Sequence, residues 1–237
     1  MADQSRAAVA GPGRVVRLED VGGGVTHIAL VPPGAFVGSY TTPGQYIRLA
    51  TGGKSTYFAL AGDPGDATWE ILVRGGGDVS DALVAGSPDD EVEISGALGE
   101  GFPVHEALGR HLYVVATGTG LGAVRPVLRA RVREGLATST ELFFGVRRAV
   151  DVPLPDELDA LRAVGMGVTL CCSREGAPGA GWEPGYVQDA LTRRAAMAPR
   201  GPGRSLVFAA GVAGMIDALR AVAARLGMDE ADVRTNY

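Results

Sequence analysis

The stretch VVATGTGLGAVRPVLR, Val114 to Arg129, decides the reading of this chain. Strand-forming residues from Tyr113 to Thr117 run into a glycine–threonine loop, and a segment of helical character follows. Such a loop either cradles an anion or is a tight turn that glycine makes easy. Where a strand hands over to a helix, backbone N–H groups point outward and the helix dipole favours negative charge. Gly118 and Gly120 permit positive φ and close approach of a ligand. The motif is not the GxGxxG fingerprint, so its meaning rests on its surroundings.

Downstream the rhythm is regular. HLYVVATG, STELFFGVR, GVTLCCSR and RSLVFAAG read as strands. They alternate with LGAVRPVLRARVREG, PLPDELDALRAVG, GYVQDALTRRAA and GMIDALRAVAARLG, which read as helices. Strict strand–helix alternation predicts a parallel α/β sheet with helices on both faces. Upstream, THIALVPP, GQYIRLA, STYFALAG, WEILVRG and DEVEISGAL are short runs bounded by turn residues. Their spacing of about ten residues predicts a closed antiparallel β-barrel or a sandwich. One short helix is expected at DVSDALVAG, with Ser80 as its cap. The expected organisation is a disordered lead over 1–13, a β-barrel domain over 14–107 and an α/β nucleotide-binding domain over 108–237.

Composition narrows the function. A net charge of −5 argues against a nucleic-acid surface. No stretch approaches the roughly 20 apolar residues of a membrane span, and the first residues lack the apolar core of a signal peptide, so a cytoplasmic location is expected. Cys171 and Cys172 are adjacent and too few for an iron–sulfur cluster or a zinc site. His27, His105 and His111 show no ligand spacing, so no metal is expected. Lys54 is the single lysine among 22 Lys and Arg residues, which leaves 21 arginines. Arg125, Arg129 and Arg133 recur every four residues, as a solvated helix face or a docking patch for an acidic electron carrier would.

The ordered set of motifs resembles the ferredoxin–NADP reductase superfamily over nearly the whole chain. PGQYIRL (Pro43 to Leu49) is similar to the strand before the flavin motif. STYFALAG stands where the family has Arg-x-Tyr-Ser. GGDVSDAL is similar to the Gly-x-x-Ser segment that holds FAD pyrophosphate. GTGLGAVRP is similar to the nicotinamide-cofactor loop, and the closing Tyr237 is similar to a terminal aromatic that stacks on the flavin. The resemblance implies an FAD-dependent oxidoreductase passing electrons from NAD(P)H to a separate acceptor protein, such as a ferredoxin or flavodoxin, or to a small acceptor. The rival readings are a flavin-binding or nucleotide-sensing module with little turnover, and a free-flavin or ferric reductase.

Residue by residue, the resemblance implies flavin contacts at Ser55, Thr56, Tyr57, Phe58, Ala59, Leu60, Val79 and Ser80, with Lys54 or Arg74 as the phosphate cation. It implies nicotinamide-nucleotide contacts at Thr117, Gly118, Thr119, Gly120, Ser173, Arg174, Tyr186, Gln188 and Gly211. Phe58, Ala210 and Tyr237 would lie nearest the reacting rings. Three departures stand out. Ser55 replaces the motif arginine, Phe58 replaces the motif serine, and Ala210 stands where the family often has cysteine. Ser173 and Arg174 match the pair that takes an adenosine 2′-phosphate, so NADPH is expected over NADH, although Glu175 beside them could take a bare ribose hydroxyl. The sequence leaves the acceptor and the oligomeric state open.

Overall fold

A computed structural model describes residues 9–197, 203–225 and 227–236 of the chain. The first half forms one antiparallel sheet of β1 (Ala10–Asp20), β2 (Thr26–Val31), β3 (Tyr46–Thr51), β4 (Lys54–Ala59), β5 (Trp69–Val73) and β6 (Glu91–Ser95). Its order is β4-β3-β6-β1-β2-β5. A bridge between Leu60 and Ile71 brings the end of β4 back to β5 and nearly closes a barrel. Inward alternation fills it with Ile28, Leu30, Ile47, Leu49, Ile71 and Ile94, all fully buried. Helix α1 (Asp78–Val84) caps this core with Val79 and Leu83.

The second half is a parallel sheet in the order β10-β9-β8-β7-β11-β12. Its strands are β7 (His111–Thr117), β8 (Thr140–Val146), β9 (Gly167–Cys172), β10 (Trp182–Pro184), β11 (Ser205–Ala210) and β12 (Val233–Thr235). Helices α2 (Leu121–Arg133), α3 (Pro155–Ala163), α4 (Val187–Met197) and α5 (Ala213–Arg225) cover both faces. Burial on two sides explains why β7, β8 and β11 are near-continuous apolar runs.

Two local expectations change. Residues 10–13, expected in the lead, belong to β1 and pair with β6. Their Gly-Pro-Gly composition imitates a turn, yet β2 joins β1 only from Arg14 onward, so Pro12 has no ladder bond to lose on that side. Ser80 is not the cap of α1. Gly77 occupies that place, the Ser80 hydroxyl donates to the Gly77 carbonyl (2.9 Å), and the Asp81 carboxylate accepts from the Gly76 N–H (2.8 Å). The three-residue strands β10 and β12 were too short to read from pattern.

The two halves share a core. Val25, Ala61 and Leu72 of the barrel pack in one cluster with Val124, Leu128, Leu142 and Phe208 of the α/β half. Phe102 stacks on Phe208 with ring centroids 4.9 Å apart. The arginine stripe on α2, expected to be solvated or a docking patch, closes this junction instead. Arg125 is 5% exposed. It donates to the Ala61 carbonyl (3.1 Å) and the Glu70 carboxylate (2.7 Å), and on its other side to Glu157 of α3 (2.9 Å). Arg129 shares Glu157, and Arg133 pairs with Asp63. His27 Nε2 lies 3.0 Å from the same Glu70.

His27, with Nε2 3.0 Å away, and then Arg125 outweigh burial and hold the Glu70 carboxyl at about 2, below its ordinary 4.5. An acid whose pKa is depressed on folding stabilises the fold above its unfolded value and loses that contribution as pH falls toward the folded one. Wild-type unfolding free energy should therefore drop between pH 4.5 and 2, by on the order of 2 kcal/mol after solvent screening. Glu70→Gln should be less stable at neutral pH and flatter across that window. Urea unfolding at stepped pH checks this; parallel acid profiles for the two proteins would remove Glu70 from the account.

Candidate functional site

The site is built from two strand ends and one exposed strand. Thr117, at the end of β7, enters a single 3-10 turn, Gly118–Gly120, before α2 begins. Gly118 has φ +56°, and a side chain there would meet open space. Gly120 is required for packing, since a Cβ would lie 2.5 Å from the Ala210 carbonyl oxygen. Gly211 is required likewise, because its Cβ would fall 2.2 Å from Thr117 Oγ1. The loops after β7 and β11 are thus pressed together through two glycines. No side chain caps the N-terminus of α2. Thr117 Oγ1 is buried and, among the described residues, has no hydrogen-bond partner. An unpartnered hydroxyl beside an uncapped helix start at the carboxyl edge of a parallel sheet fits a nucleotide's ribose and phosphates.

The adjoining strand ends carry the next group. Ser173 and Arg174 follow β9, and the Arg174 N–H bonds to the Arg147 carbonyl (3.0 Å). Arg147 and Arg174 are both exposed, and neither side chain has an ion pair among the described residues. The Glu175 carboxylate is engaged by the Ala149 N–H (3.0 Å). Tyr186, 60% exposed, immediately precedes α4, and its carbonyl accepts from the Asp189 N–H (3.1 Å). Cys171 and Cys172 are buried, and burial raises both thiols, Cys171 to about 12, so neither is poised as a nucleophile.

On the barrel, Gly52 and Gly53 make the two-residue hairpin between β3 and β4, both at positive φ. Tyr57 is 63% exposed on β4, with Tyr46 edge-on at 5.6 Å. Ser55 and Thr56 are exposed beside it. Phe58 turns the other way, opposite Ile47, and packs against the barrel core. Two expected flavin contacts lose their side chains to that core. Leu60 is fully buried with its N–H on the Gln45 carbonyl, and Val79 of α1 is buried against the barrel core. Strand alternation sends Leu60 inward with Phe58, and Val79 lies on the core-facing side of α1 with Leu83. Lys54 reaches α1, where its Nζ lies 2.5 Å from Asp78. Arg74 lies beside Gly24 and depresses the Asp151 carboxyl, after Arg148. Ala59 lies opposite Tyr46.

The chain's last strand ties the two regions. Arg234 on β12 pairs with Glu106, and the Asn236 side chain donates to the Gly44 carbonyl (3.1 Å) at the mouth of β3. Tyr237 lies outside the described residues. Sequence reading missed Arg147, which followed the strand LFFGV without a motif of its own. It also missed Arg48, which the alternation Tyr46-Ile47-Arg48-Leu49 puts on the Tyr57 side.

This is the architecture of a barrel joined to a nucleotide-binding α/β domain, with the site at their junction. A family described as the oxidoreductase NAD-binding domain matches residues 114–221. The reductase component, ferredoxin–NAD(P)(+), of a Ralstonia naphthalene 1,2-dioxygenase/salicylate 5-hydroxylase system is 31% identical over 79% of this chain and 57% of its own. The Amycolatopsis cytochrome P450 reductase GcoB superposes with a TM-score of 0.82 at 20% identity, over 97% of this chain and 70% of that one. A ferredoxin NADP+ reductase from Neisseria gonorrhoeae, solved with bound FAD and NADP, superposes with a TM-score of 0.78 at 15% identity, over 96% and 99%. Residues 114–221 thus match the oxidoreductase NAD-binding domain family, and the whole chain shares the fold of the Neisseria ferredoxin NADP+ reductase. It spans about half the length of the curated relatives it matches. Among the described residues, no helix is long and apolar enough to cross a membrane, and no cluster of metal-ligating side chains occurs.

Thr117→Val keeps the shape at the end of β7 and deletes the unpartnered hydroxyl. The thermal midpoint should hold or rise, because no protein hydrogen bond is lost. A fall equivalent to more than about 1 kcal/mol would mean the hydroxyl has a structural partner.

Proposed function

We propose that the protein is an FAD-dependent oxidoreductase that takes reducing equivalents from NADPH and delivers them to a separate acceptor, a ferredoxin- or flavodoxin-like carrier or a small molecule. The observation that carries this reading is the pair of glycine-packed loops around the Thr117 hydroxyl, which has no partner among the described residues, with the Asn236 side chain tying the end of the chain to the Gly44 carbonyl ahead of β3. FAD when bound supplies the redox chemistry, receiving a hydride and releasing electrons one at a time.

The chain's own residues then bind and orient. Tyr57 offers a ring for the isoalloxazine to pack against, with Ser55 and Thr56 beside it, and the main chain at Phe58 and Ala59 offers polar groups along the exposed strand. Thr117 and Gly211 shape the floor for the nicotinamide end, and Gly118 to Gly120 with the start of α2 take its phosphates. Tyr186 stacks on adenine, with Gln188 beside it. The NADPH preference rests on Arg147 and Arg174 standing unpaired side by side, while Glu175 is committed to a backbone N–H. Two guanidinium groups suit a phosphate dianion and have no partner in a bare ribose.

A second reading, a flavin-binding sensor with little turnover, draws on two placements. The Phe58 ring faces the barrel core, and the Ala210 side chain is buried and carries no thiol. Anaerobic addition of NADPH to the purified, FAD-loaded protein separates the readings. Bleaching of the flavin spectrum within seconds is expected for the oxidoreductase; a spectrum that persists for minutes would favour the sensor.

The nucleotide preference has its own test. Arg147→Ala and Arg174→Ala should each raise the dissociation constant for NADP⁺ about tenfold, the scale of one charge-assisted hydrogen bond, and leave that for NAD⁺ unchanged. Equal weakening of the two nucleotides would remove the 2′-phosphate from this part of the surface.

A further inference from the structure

Resting on the flavin reading above, we infer that Arg48 supplies the positive charge that holds the FAD phosphates, in the role left vacant by Ser55. The strand register gives the geometry. Ile47 and Leu49 are fully buried in the barrel, so Tyr46 and Arg48 stand on its outer side. Across the β3–β4 ladder Arg48 lies directly opposite Tyr57, and Ala50 lies opposite Ser55. Residues directly opposite each other share a face of the sheet. Arg48 therefore shares its face with both the proposed ring platform and the serine that replaces the motif arginine. A diagonal neighbour is about 7–8 Å away, within reach of an arginine side chain. Ala50 and Ser55 are both small, which leaves that path clear.

On this face of the barrel, the Arg48 guanidinium is also uncommitted. It is half-buried, its N–H bonds to Ser95 Oγ (2.9 Å), and among the described residues its guanidinium has neither a hydrogen bond nor an ion pair. Glu93 lies opposite Ala50 on the same face and makes no ion pair with it. A partly desolvated guanidinium without an acceptor is unfavourable, and a phosphate supplies the missing partner with matching fork geometry. The other two candidates are placed less well. Lys54 alternates to the opposite side from Ser55 and is held by Asp78, whose carboxylate would also repel a phosphate. Arg74 is exposed after β5, with its guanidinium beside Gly24 in the loop before β2 and not on the β3–β4 face.

Titration of the flavin-free full-length protein with FAD and with riboflavin tests the assignment, because riboflavin carries the same ring and ribityl chain without phosphate. Arg48→Ala should weaken FAD binding by roughly 10- to 100-fold, the scale for a hydrogen bond to a charged group, and change riboflavin binding less than about twofold. Arg48→Lys should keep an intermediate affinity for FAD, and Lys54→Ala should keep nearly all of it. If circular dichroism shows that Arg48→Ala is unfolded, Arg48→Gln, which retains most of the stem, is read in the same way. Unchanged FAD affinity overturns the inference, as does an equal loss for FAD and riboflavin, which would place Arg48 on the ring or in the fold. A wild-type protein that binds neither flavin overturns it too, and that outcome is distinct because it removes the flavin reading itself.

Discussion

Arg125 joins the two halves of the molecule. Its guanidinium is almost fully withdrawn from water and is satisfied on the barrel side by the Ala61 carbonyl and Glu70, and on the α/β side by Glu157. Removing one partner from such a buried group leaves an uncompensated charge at a cost of about 3–5 kcal/mol. The network therefore fixes one relative placement of barrel and sheet. That matters because the candidate site belongs to neither domain alone: its ring platform is on β4, and its nucleotide floor is at the ends of β7 and β11.

The same helix serves both purposes. The N-terminus of α2 is left uncapped where the glycine loop turns into it, and its first turns press Gly122 toward Ala61 and Leu72 of the barrel. Pro126 within the helix cannot donate to the Gly122 carbonyl, a loss accepted in a segment held by packing on two sides. Binding geometry and domain docking are thus set by one element. At the far end of the chain, β12 and Asn236 carry a second tie from the sheet edge to the mouth of β3.

Much of the architecture was legible because it depends on short-range pattern. Alternation with a period of two marked β2, β3 and β6, and amphipathic runs marked α3 and α5. The legible part of the site was the part made of backbone: Gly118, Gly120 and Gly211 announce loops that must pack closely. The charged part was read less well. Arg125, Arg129 and Arg133 have the spacing of a solvent-facing stripe, and spacing carries no information about what covers it. Lys54 drew notice as the single lysine, but rarity in a composition says nothing of the partner a side chain finds, here Asp78.

By itself the sequence determined the two domains, the order of strands and helices along the chain, and the glycine loop at the first β–α junction. These follow from local propensity, side-chain periodicity and the steric freedom of glycine, all of which act within a few residues. Only the tertiary structure decided which arginines are buried, which are paired and which stand free. Arg125 meets Glu70 across 55 residues, and Arg234 meets Glu106 across 128. Charge pairing at such separations depends on where sheets and helices come to rest. The value of a cation to a ligand depends in turn on whether the fold has already given it an anion.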